Sequence, residues 1–357
     1  MRRGALPTLI LTALASACAS SGAVGVGTVT NVVHAPRVLP NSVVRLNPKT
    51  LTPVQVVRVG DAPDLIVRAG GYLWVTHHIL RAVSGLIDNR GDRTLTRVNP
   101  ATGQVRVVGN GLAPCGLSAD PPGAVLVANC FPSASRQEST ITRVDARTLK
   151  FTGTWNVAGS TGFFRGVGYG GRWVWTDGVA DDGRSVIRIN PRTGAKRSIP
   201  VARNPGAFAW SARYRDLWIN NYGWGSLTRL HPKNDASAVT RIVAPEPVFP
   251  VIAGDSVWVG DWALPRVERV ALSGSQRPQN VRLLRTRPPA VIADSNRGVW
   301  NIAAGAGYVW ATTPRFGALW RIDPRTDAVK RIDLPYYPTG VTANRSGVWV
   351  TVRGKWE

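Results

Sequence analysis

The chain is poor in the residues that most often carry catalysis or bind metals. It has three cysteines, one methionine and four histidines among 357 residues. It contains no GxSxG nucleophile elbow, no HExxH pair and no cysteine–histidine zinc spacing. The acidic stretch TDGVADDGR lacks the ordered ligand spacing of an EF-hand. These absences favour a protein that is not an enzyme and that has no metal site and no cofactor.

Negative charge is also scarce. The chain has 21 acidic residues against 44 basic ones, and only six of the basic residues are lysines. The formal net charge of +23 favours anionic partners, although an arginine bias in a GC-rich genome explains the composition equally well. The basic residues form no cluster of the kind found in nucleic-acid-binding arms. The pattern therefore argues against nucleic acid and is compatible with another anionic partner.

Long apolar runs are missing as well. The run Leu6–Leu14 follows two arginines and precedes small residues, and it is too short to span a bilayer as a helix. These features predict an export signal at residues 1–17.

The small residues before Cys18 resemble a bacterial lipobox, in which the cysteine is lipidated after cleavage. Ala15 stands where leucine is usual, so plain secretion is the alternative. Residues 18–39 predict a flexible tether. We expect the protein in the bacterial cell envelope, with membrane contact only through the lipid anchor.

Seven arginines recur every 40 to 52 residues in similar phrases, such as SLTRLHP and ALWRIDP. A period of this length is typical of repeat architectures. The arginines are Arg45, Arg97, Arg143, Arg188, Arg229, Arg269 and Arg321.

One repeat, residues 318–351, divides into four strands: ALWRID, AVKRIDL, GVTAN and GVWVT. Seven such units predict an all-β fold, a seven-bladed β-propeller of four-stranded antiparallel blades over residues 40–357. We name the strands of a blade A to D from the innermost outwards. The chain opens with strands C and D and ends with strands A and B. We therefore predict that one blade pairs N-terminal strands C and D with C-terminal strands A and B, which closes the ring.

A tryptophan marks the centre of strand B in most repeats, as in LWV and VWV. In the two repeats that lack this triplet we expect Leu126 and Val174 at the central position. The seven arginines lie on strand C, where stacking on tryptophans of adjoining strands or blades favours a structural role. The alternative is a ring of cations for a polyanion.

The repeat resembles that of the YVTN-type and NHL-like propellers of bacterial surface proteins, whose phrase is similar to VWVTN…VxRIDPxTGxV…VGxxPxxIA. The resemblance covers residues 41–352 and implies the propeller fold. It implies little about activity, because one fold hosts unrelated functions. A more distant resemblance to streptogramin B lyases implies an alternative in which a histidine, a glutamate and magnesium act on the channel face.

Cys115 opens strand A of its blade and Cys130 ends strand B. With Pro122 and Gly123 at the centre of the turn between these strands, the two cysteines oppose each other. An oxidising compartment then favours a disulfide between them. Two free thiols or a metal pair are the alternatives, but no further ligands lie near in the sequence.

The A–B and C–D turns are short and repetitive, whereas the B–C and D–A loops at the other face vary. Loops on a rigid scaffold often carry function, and these contain aromatics and arginines suited to a glycan, a peptide or an aromatic small molecule. We expect them to converge around one channel mouth, although some pack against the blade tops instead. The candidate ligand-binding residues are Phe163, Phe164, Arg165, Tyr222, Trp224, Phe249, Trp262, Arg315, Phe316, Tyr336 and Tyr337.

His77, His78 and Glu246 are the only candidate catalytic residues on this face, and their loops belong to distant blades. The sequence favours an exported, lipid-anchored, monomeric binding or scaffold protein for a cell-envelope ligand or protein. The alternative is a streptogramin-lyase-like lyase or hydrolase that acts on a small molecule at the channel mouth. Only that alternative requires a divalent metal.

Overall fold

The computed structural model describes residues 35–77, 94–109, 112–121, 123–129, 139–157, 166–177, 183–242, 244–274, 277–284 and 298–355. The predicted export signal, Cys18 and most of the predicted tether lie outside these residues. Within the described residues, no helix has the length and apolar character needed to cross a bilayer.

The described residues form seven four-stranded antiparallel sheets, the blades of a β-propeller. From strand A to strand D, blade 1 is β3 (Pro63–Ala69), β4 (Tyr72–His77), β5 (Leu95–Val98) and β6 (Val105–Val108); blade 2 is β7 (Pro114–Asp120), β8 (Ala124–Asn129), β9 (Thr140–Asp145) and β10 (Phe151–Asn156); and blade 3 is β11 (Val167–Gly170), β12 (Trp173–Asp177), β13 (Ser185–Ile189) and β14 (Lys196–Pro200). In the same order, blade 4 is β15 (Pro205–Ser211), β16 (Asp216–Asn221), β17 (Ser226–His231) and β18 (Ala236–Arg241); blade 5 is β19 (Pro247–Ala253), β20 (Ser256–Asp261), β21 (Arg266–Ala271) and β22 (Gln279–Arg282); and blade 6 is β23 (Asn301–Gly305), β24 (Tyr308–Thr313), β25 (Ala318–Ile322) and β26 (Val329–Asp333). Blade 7 combines both ends of the chain and is β27 (Tyr337–Asn344), β28 (Gly347–Arg353), β1 (Ser42–Leu46) and β2 (Pro53–Arg58). A short 3₁₀ turn, Pro314–Phe316, is the one helical element among these residues.

The predicted architecture and closure are confirmed. Strand β28 pairs with β1 in register, with Val350 opposite Val44, so blade 7 joins the two ends of the chain. Hydrogen bonds also tie blade 7 to blade 1, because the Thr351 hydroxyl donates to the Asp64 carbonyl oxygen at 2.6 Å. The blades pack closely there, since a Cβ added to Gly340 would lie 2.2 Å from the same oxygen.

Burial follows strand position within each blade. Strand B is buried throughout, as in β16, because neighbouring blades cover both of its faces. Strand D is largely exposed, as in β18, because it forms the outer rim. The apolar B and C strands therefore supply the core between blades, which stabilises the ring through buried apolar area.

The register of blade 3 differs from the prediction. Trp175, and not Val174, lies opposite Arg188, just as Trp218 lies opposite Arg229 in blade 4. The prediction was one residue off, and such a shift moves every side chain to the other face of the strand. Leu126 does occupy the central position in blade 2, opposite Arg143.

Four of the seven strand-C arginines join neighbouring blades. Arg97 donates to the carbonyl oxygens of Ala146 at 2.8 Å and Arg147 at 3.1 Å, in the C–D turn of the next blade. Its guanidinium also lies 4.1 Å from the centre of the Tyr72 ring.

Three further arginines reach the next C–D turn in the same way. Arg188 donates to Pro232, Arg269 to Pro324 and Arg321 to Pro48. Within the described ranges, the other three do not. Arg143 and Arg229 pair with Asp120 and Asp216 of their own blades, and Arg45 donates to the Ser346 carbonyl oxygen of its own blade.

The predicted packing between blades is therefore found for four of the seven arginines. For Arg143 and Arg229 that prediction was wrong, because a carboxylate of the same blade lies within reach of each guanidinium.

Candidate functional site

The variable loops bring several non-repeating residues together above blades 4, 5 and 6. Val248, Trp262 and Trp300 form a buried apolar cluster against which Tyr222 and Phe249 pack. The Trp262 and Trp300 rings lie 4.5 Å apart, centre to centre. We call these five residues, together with Glu246, the loop-face cluster. It joins Tyr222, Phe249 and Trp262, three of the predicted ligand-binding residues.

Glu246 is the acidic member of the cluster. The Tyr222 hydroxyl donates to its carboxylate, while burial and the nearby charge of Asp261 raise the pKa of Glu246. Its Oε2 atom is enclosed and has no hydrogen-bond partner in the described part of the chain. Burial, aided by Glu246, also raises the pKa of Tyr222 to about 12. The pair therefore holds an acceptor oxygen that no described residue partners, just below the surface and in a partly dehydrated setting.

Asp261 stabilises the blade as well as raising the pKa of Glu246. It is fully buried at the end of strand B, and Arg266 Nε donates to its Oδ2 at 2.6 Å. Burial raises the pKa of Asp261, although the Arg266 charge opposes that shift.

His77 occupies the matching position in blade 1. Its Nε2 lies 2.7 Å from Thr96 Oγ1, and its Nδ1 lies 2.7 Å from the Asp61 carbonyl oxygen, which can only accept. Asn129 and Asn221 stand at the same place in their blades and likewise bond to strand-C hydroxyls. His77 therefore belongs to a repeated structural position. Its described contacts share no residue with those of Glu246, and His78 lies outside the described residues.

Two of the predicted ligand-binding aromatics are open to solvent. Trp224 is 41% exposed and Tyr336 is 38% exposed. The Arg203 guanidinium lies 4.9 Å from the centre of the Trp224 ring. Leu264, in the B–C loop of blade 5, is also exposed, at 41%. The stacked aromatic–arginine pair provides a platform for a planar or sugar-like group.

The other predicted aromatics have different surroundings. Trp262 is only 5% exposed, so its ring packs within the cluster and does not form an open surface. Phe316 packs on the core between blades 5 and 6. Arg315 is exposed in the 3₁₀ turn, and Tyr337 begins β27 opposite Arg353. Phe163, Phe164 and Arg165 lie outside the described residues.

Trp300, Asp64 and Arg353 form a network that the sequence did not reveal. Trp300 Nε1 donates to Asp64 Oδ1 at 2.7 Å, and Arg353 Nη2 lies 3.2 Å from the same oxygen. The network links the loop-face cluster to the closure between blades 7 and 1. The sequence held only a weak sign that Trp300 belongs to this site, because Trp300 directly precedes a strand A and follows the longest D–A loop.

The cysteine register differs from the one the disulfide prediction assumed. Gly116 pairs with Ala128 and Pro114 with Asn129, so a bulge falls at Cys115. At the other end of the hairpin Asp120 pairs with Ala124, which is already one residue away from the predicted register. Cys115 is buried, and its Sγ lies 3.4 Å from the Ala128 carbonyl oxygen. Cys130 lies outside the described residues, so the disulfide stays a prediction.

The seven A strands line one central channel, a cavity of about 320 Å³. Phe249 connects the channel to the loop-face cluster, since it borders both. It lies in a β-bulge with φ of 47°, which non-glycine residues seldom adopt. Among the described residues, no group of three or more histidine, cysteine, aspartate or glutamate side chains is placed to hold a metal.

Fold and site together define a seven-bladed β-propeller with one repetitive face and one variable face. No protein-family model matches the sequence, and comparison with curated proteins finds no relative.

Solved structures are nevertheless similar in fold. A streptogramin B lyase has a TM-score of 0.63 at 13% identity, covering 87% of this chain and 94% of that one. U3-55K has a TM-score of 0.62 at 11% identity, covering 87% and 98% of the two chains. The extracellular domain of a one-component system from B. thetaiotaomicron has a TM-score of 0.55 at 13% identity, covering 82% of this chain and 40% of that one. Identities this low show the propeller fold alone.

Proposed function

We propose that the protein is an exported, lipid-anchored binding or scaffold protein of the bacterial cell envelope, of the YVTN or NHL-like kind. The observation that carries this proposal is the contrast between the two faces. The turn face repeats from blade to blade, whereas the loop face holds the non-repeating Glu246–Tyr222 pair and an exposed Trp224. Rigid scaffolds commonly present binding residues on such variable loops.

The ligand-binding surface is the part of the loop face above blades 4 and 5. Trp224 stacked on Arg203 supplies an aromatic platform, and Leu264 adds apolar contact area. Glu246 supplies an acceptor for a hydroxyl or ammonium group. This chemistry suits a glycan or a peptide of the envelope.

A lyase or hydrolase activity is the second candidate. Its support is Glu246, because a carboxyl group with a raised pKa beside a tyrosine hydroxyl has the character of a general acid. His77 does not add to that support, because hydrogen bonds to Asp61 and Thr96 hold its ring. A divalent metal belongs only to this second candidate.

Capture from an envelope extract tests the binding proposal. The immobilised mature protein should retain a ligand that the Trp224→Ala variant loses. Phe151→Ala is the matched control, because Phe151 is 45% exposed on the outer strand β10, away from the loops. Equal capture by all three proteins, or loss in the Phe151 variant alone, contradicts the proposed surface.

Export and anchoring have their own test. In a bacterial host, the wild-type protein should fractionate with membranes and the Cys18→Ser variant should not. A wild-type protein that is already free of membranes after export contradicts the lipid anchor and favours plain secretion.

A further inference from the structure

We propose that the central channel is a second binding site, which takes a small organic anion with an apolar body and places its carboxylate at Arg68. This site goes beyond the proposed function, which concerns the loop face. The inference rests on the composition of the channel wall and on the exposed Arg68 guanidinium, which has no partner among the described residues.

The channel wall has more apolar than polar surface. Residues from all seven blades line it, among them the half-buried Leu117, Phe208 and Val251 and the buried Ile66, Val167 and Val341. The cavity volume of about 320 Å³ falls at the small end of the range for ligand sites. An apolar molecule of modest size would therefore remove part of its apolar surface from water by binding here.

Arg68 is the single charged residue among those lining the channel, all of which are described. It lies near the end of β3, towards the turn face, and its side chain is exposed. The Arg68 guanidinium has no hydrogen-bond or ion-pair partner in the part of the chain that the structure describes, although the residue itself pairs with Leu73 in the sheet. The strand-C arginines differ, because turns of the next blade or carboxylates hold them, as for Arg97 and Arg143.

Two hydroxyl groups accompany this cation. Ser118 on β7 and Thr342 on β27 line the same cavity, on the two inner strands that flank β3. The Ser118 hydroxyl donates to the Ala119 carbonyl oxygen at 3.3 Å, so the Arg68 guanidinium is the main donor here and the Thr342 hydroxyl can add one more. A guanidinium offers the charge-assisted hydrogen bonds that a carboxylate prefers. The apolar wall and this polar group together favour an amphipathic anion over a neutral or cationic molecule.

The test measures binding of three probes with the same tail, octanoate, octanol and octylamine, by calorimetry at physiological salt. Octanoate should bind at least about tenfold more tightly than octanol, because both can accept a hydrogen bond from the guanidinium but only the anion adds the attraction between opposite charges. Arg68→Gln should abolish this preference. Arg68→Glu should reverse it in favour of octylamine. Arg345→Gln removes the same charge from an exposed turn outside the channel and should keep the preference.

Thermal midpoints should be unchanged in all three variants, since Arg68 and Arg345 are both exposed. Trp224→Ala should leave octanoate binding intact, which separates this site from the loop face. Absence of octanoate binding, equal affinity for octanoate and octanol, or a preference that survives Arg68→Gln overturns the proposal.

Discussion

At the scale of single residues, arginine takes different roles at different places in this propeller. At four strand-C positions the guanidinium donates to the next blade, and that of Arg97 also lies against the Tyr72 ring. Part of the high positive charge is therefore structural. Composition alone could not separate this part from the exposed arginines, since the difference lies in contacts between blades.

Replacing Arg97 with alanine should lower the free energy of unfolding by about 2–3 kcal/mol. The change removes a cation–π contact, which contributes about 0.5–2 kcal/mol, and two charge-assisted hydrogen bonds. Arg106→Ala is the control, because Arg106 lies opposite Arg97 on the exposed outer strand β6. Urea denaturation measures both. An equal loss of stability in the two variants would show that the contact between blades does not matter.

Glu246 should make stability depend on pH in a particular direction. Because folding raises the pKa of Glu246, the folded state holds its proton more tightly than the unfolded state. Wild-type stability should therefore fall as the pH rises from the ordinary glutamate pKa through the raised one. Glu246→Gln removes this fall, so its thermal midpoint relative to wild type should increase between acidic and neutral pH. A difference that stays constant with pH, or that shrinks, contradicts the raised pKa.

At the scale of elements, the repeat predicted the strands well because apolar alternation and short turns are local properties. The prediction of the central residue of strand B in blade 3 was wrong. Trp173 and Trp175 both fit the pattern, and only pairing with Arg188 decides between the two registers. The bulge at Cys115 was also hidden, because the register change between Pro114 and Gly116 depends on pairing across the hairpin and not on a local pattern. The Tyr222–Glu246 contact joins loops of different blades, which no local pattern encodes.

The disulfide prediction belongs to the hairpin of β7 and β8. Non-reducing mass analysis of the exported protein should find Cys115 joined to Cys130. Its loss, in a Cys115→Ala and Cys130→Ala double variant, should cost about 2–3 kcal/mol because the closed loop is short. Detection of two free thiols in the exported protein would contradict the predicted disulfide.

At the scale of the whole molecule, closure makes the ring a single cooperative unit. A chain ending at Asp333 lacks β27 and β28, so β1 loses its partner β28 and blades 6 and 1 expose the faces that blade 7 covers. We expect this truncation to abolish the cooperative thermal transition, which calorimetry records. A chain ending at Lys355 keeps all 28 strands of the described residues and should unfold like the full chain. A truncated chain with an unchanged transition would contradict closure by the terminal strands.

The division of the molecule into a binding face and a scaffold is tested most directly by measuring capture and thermal midpoint together for Trp224→Ala and Arg97→Ala. Trp224→Ala should weaken capture of the envelope ligand by about 1–3 kcal/mol and leave the midpoint unchanged. Arg97→Ala should lower the midpoint and leave capture per folded molecule unchanged. The reverse outcome, in which Arg97→Ala abolishes capture at full stability while Trp224→Ala has no effect on capture, would contradict the account and assign the binding surface to the strand-C arginines.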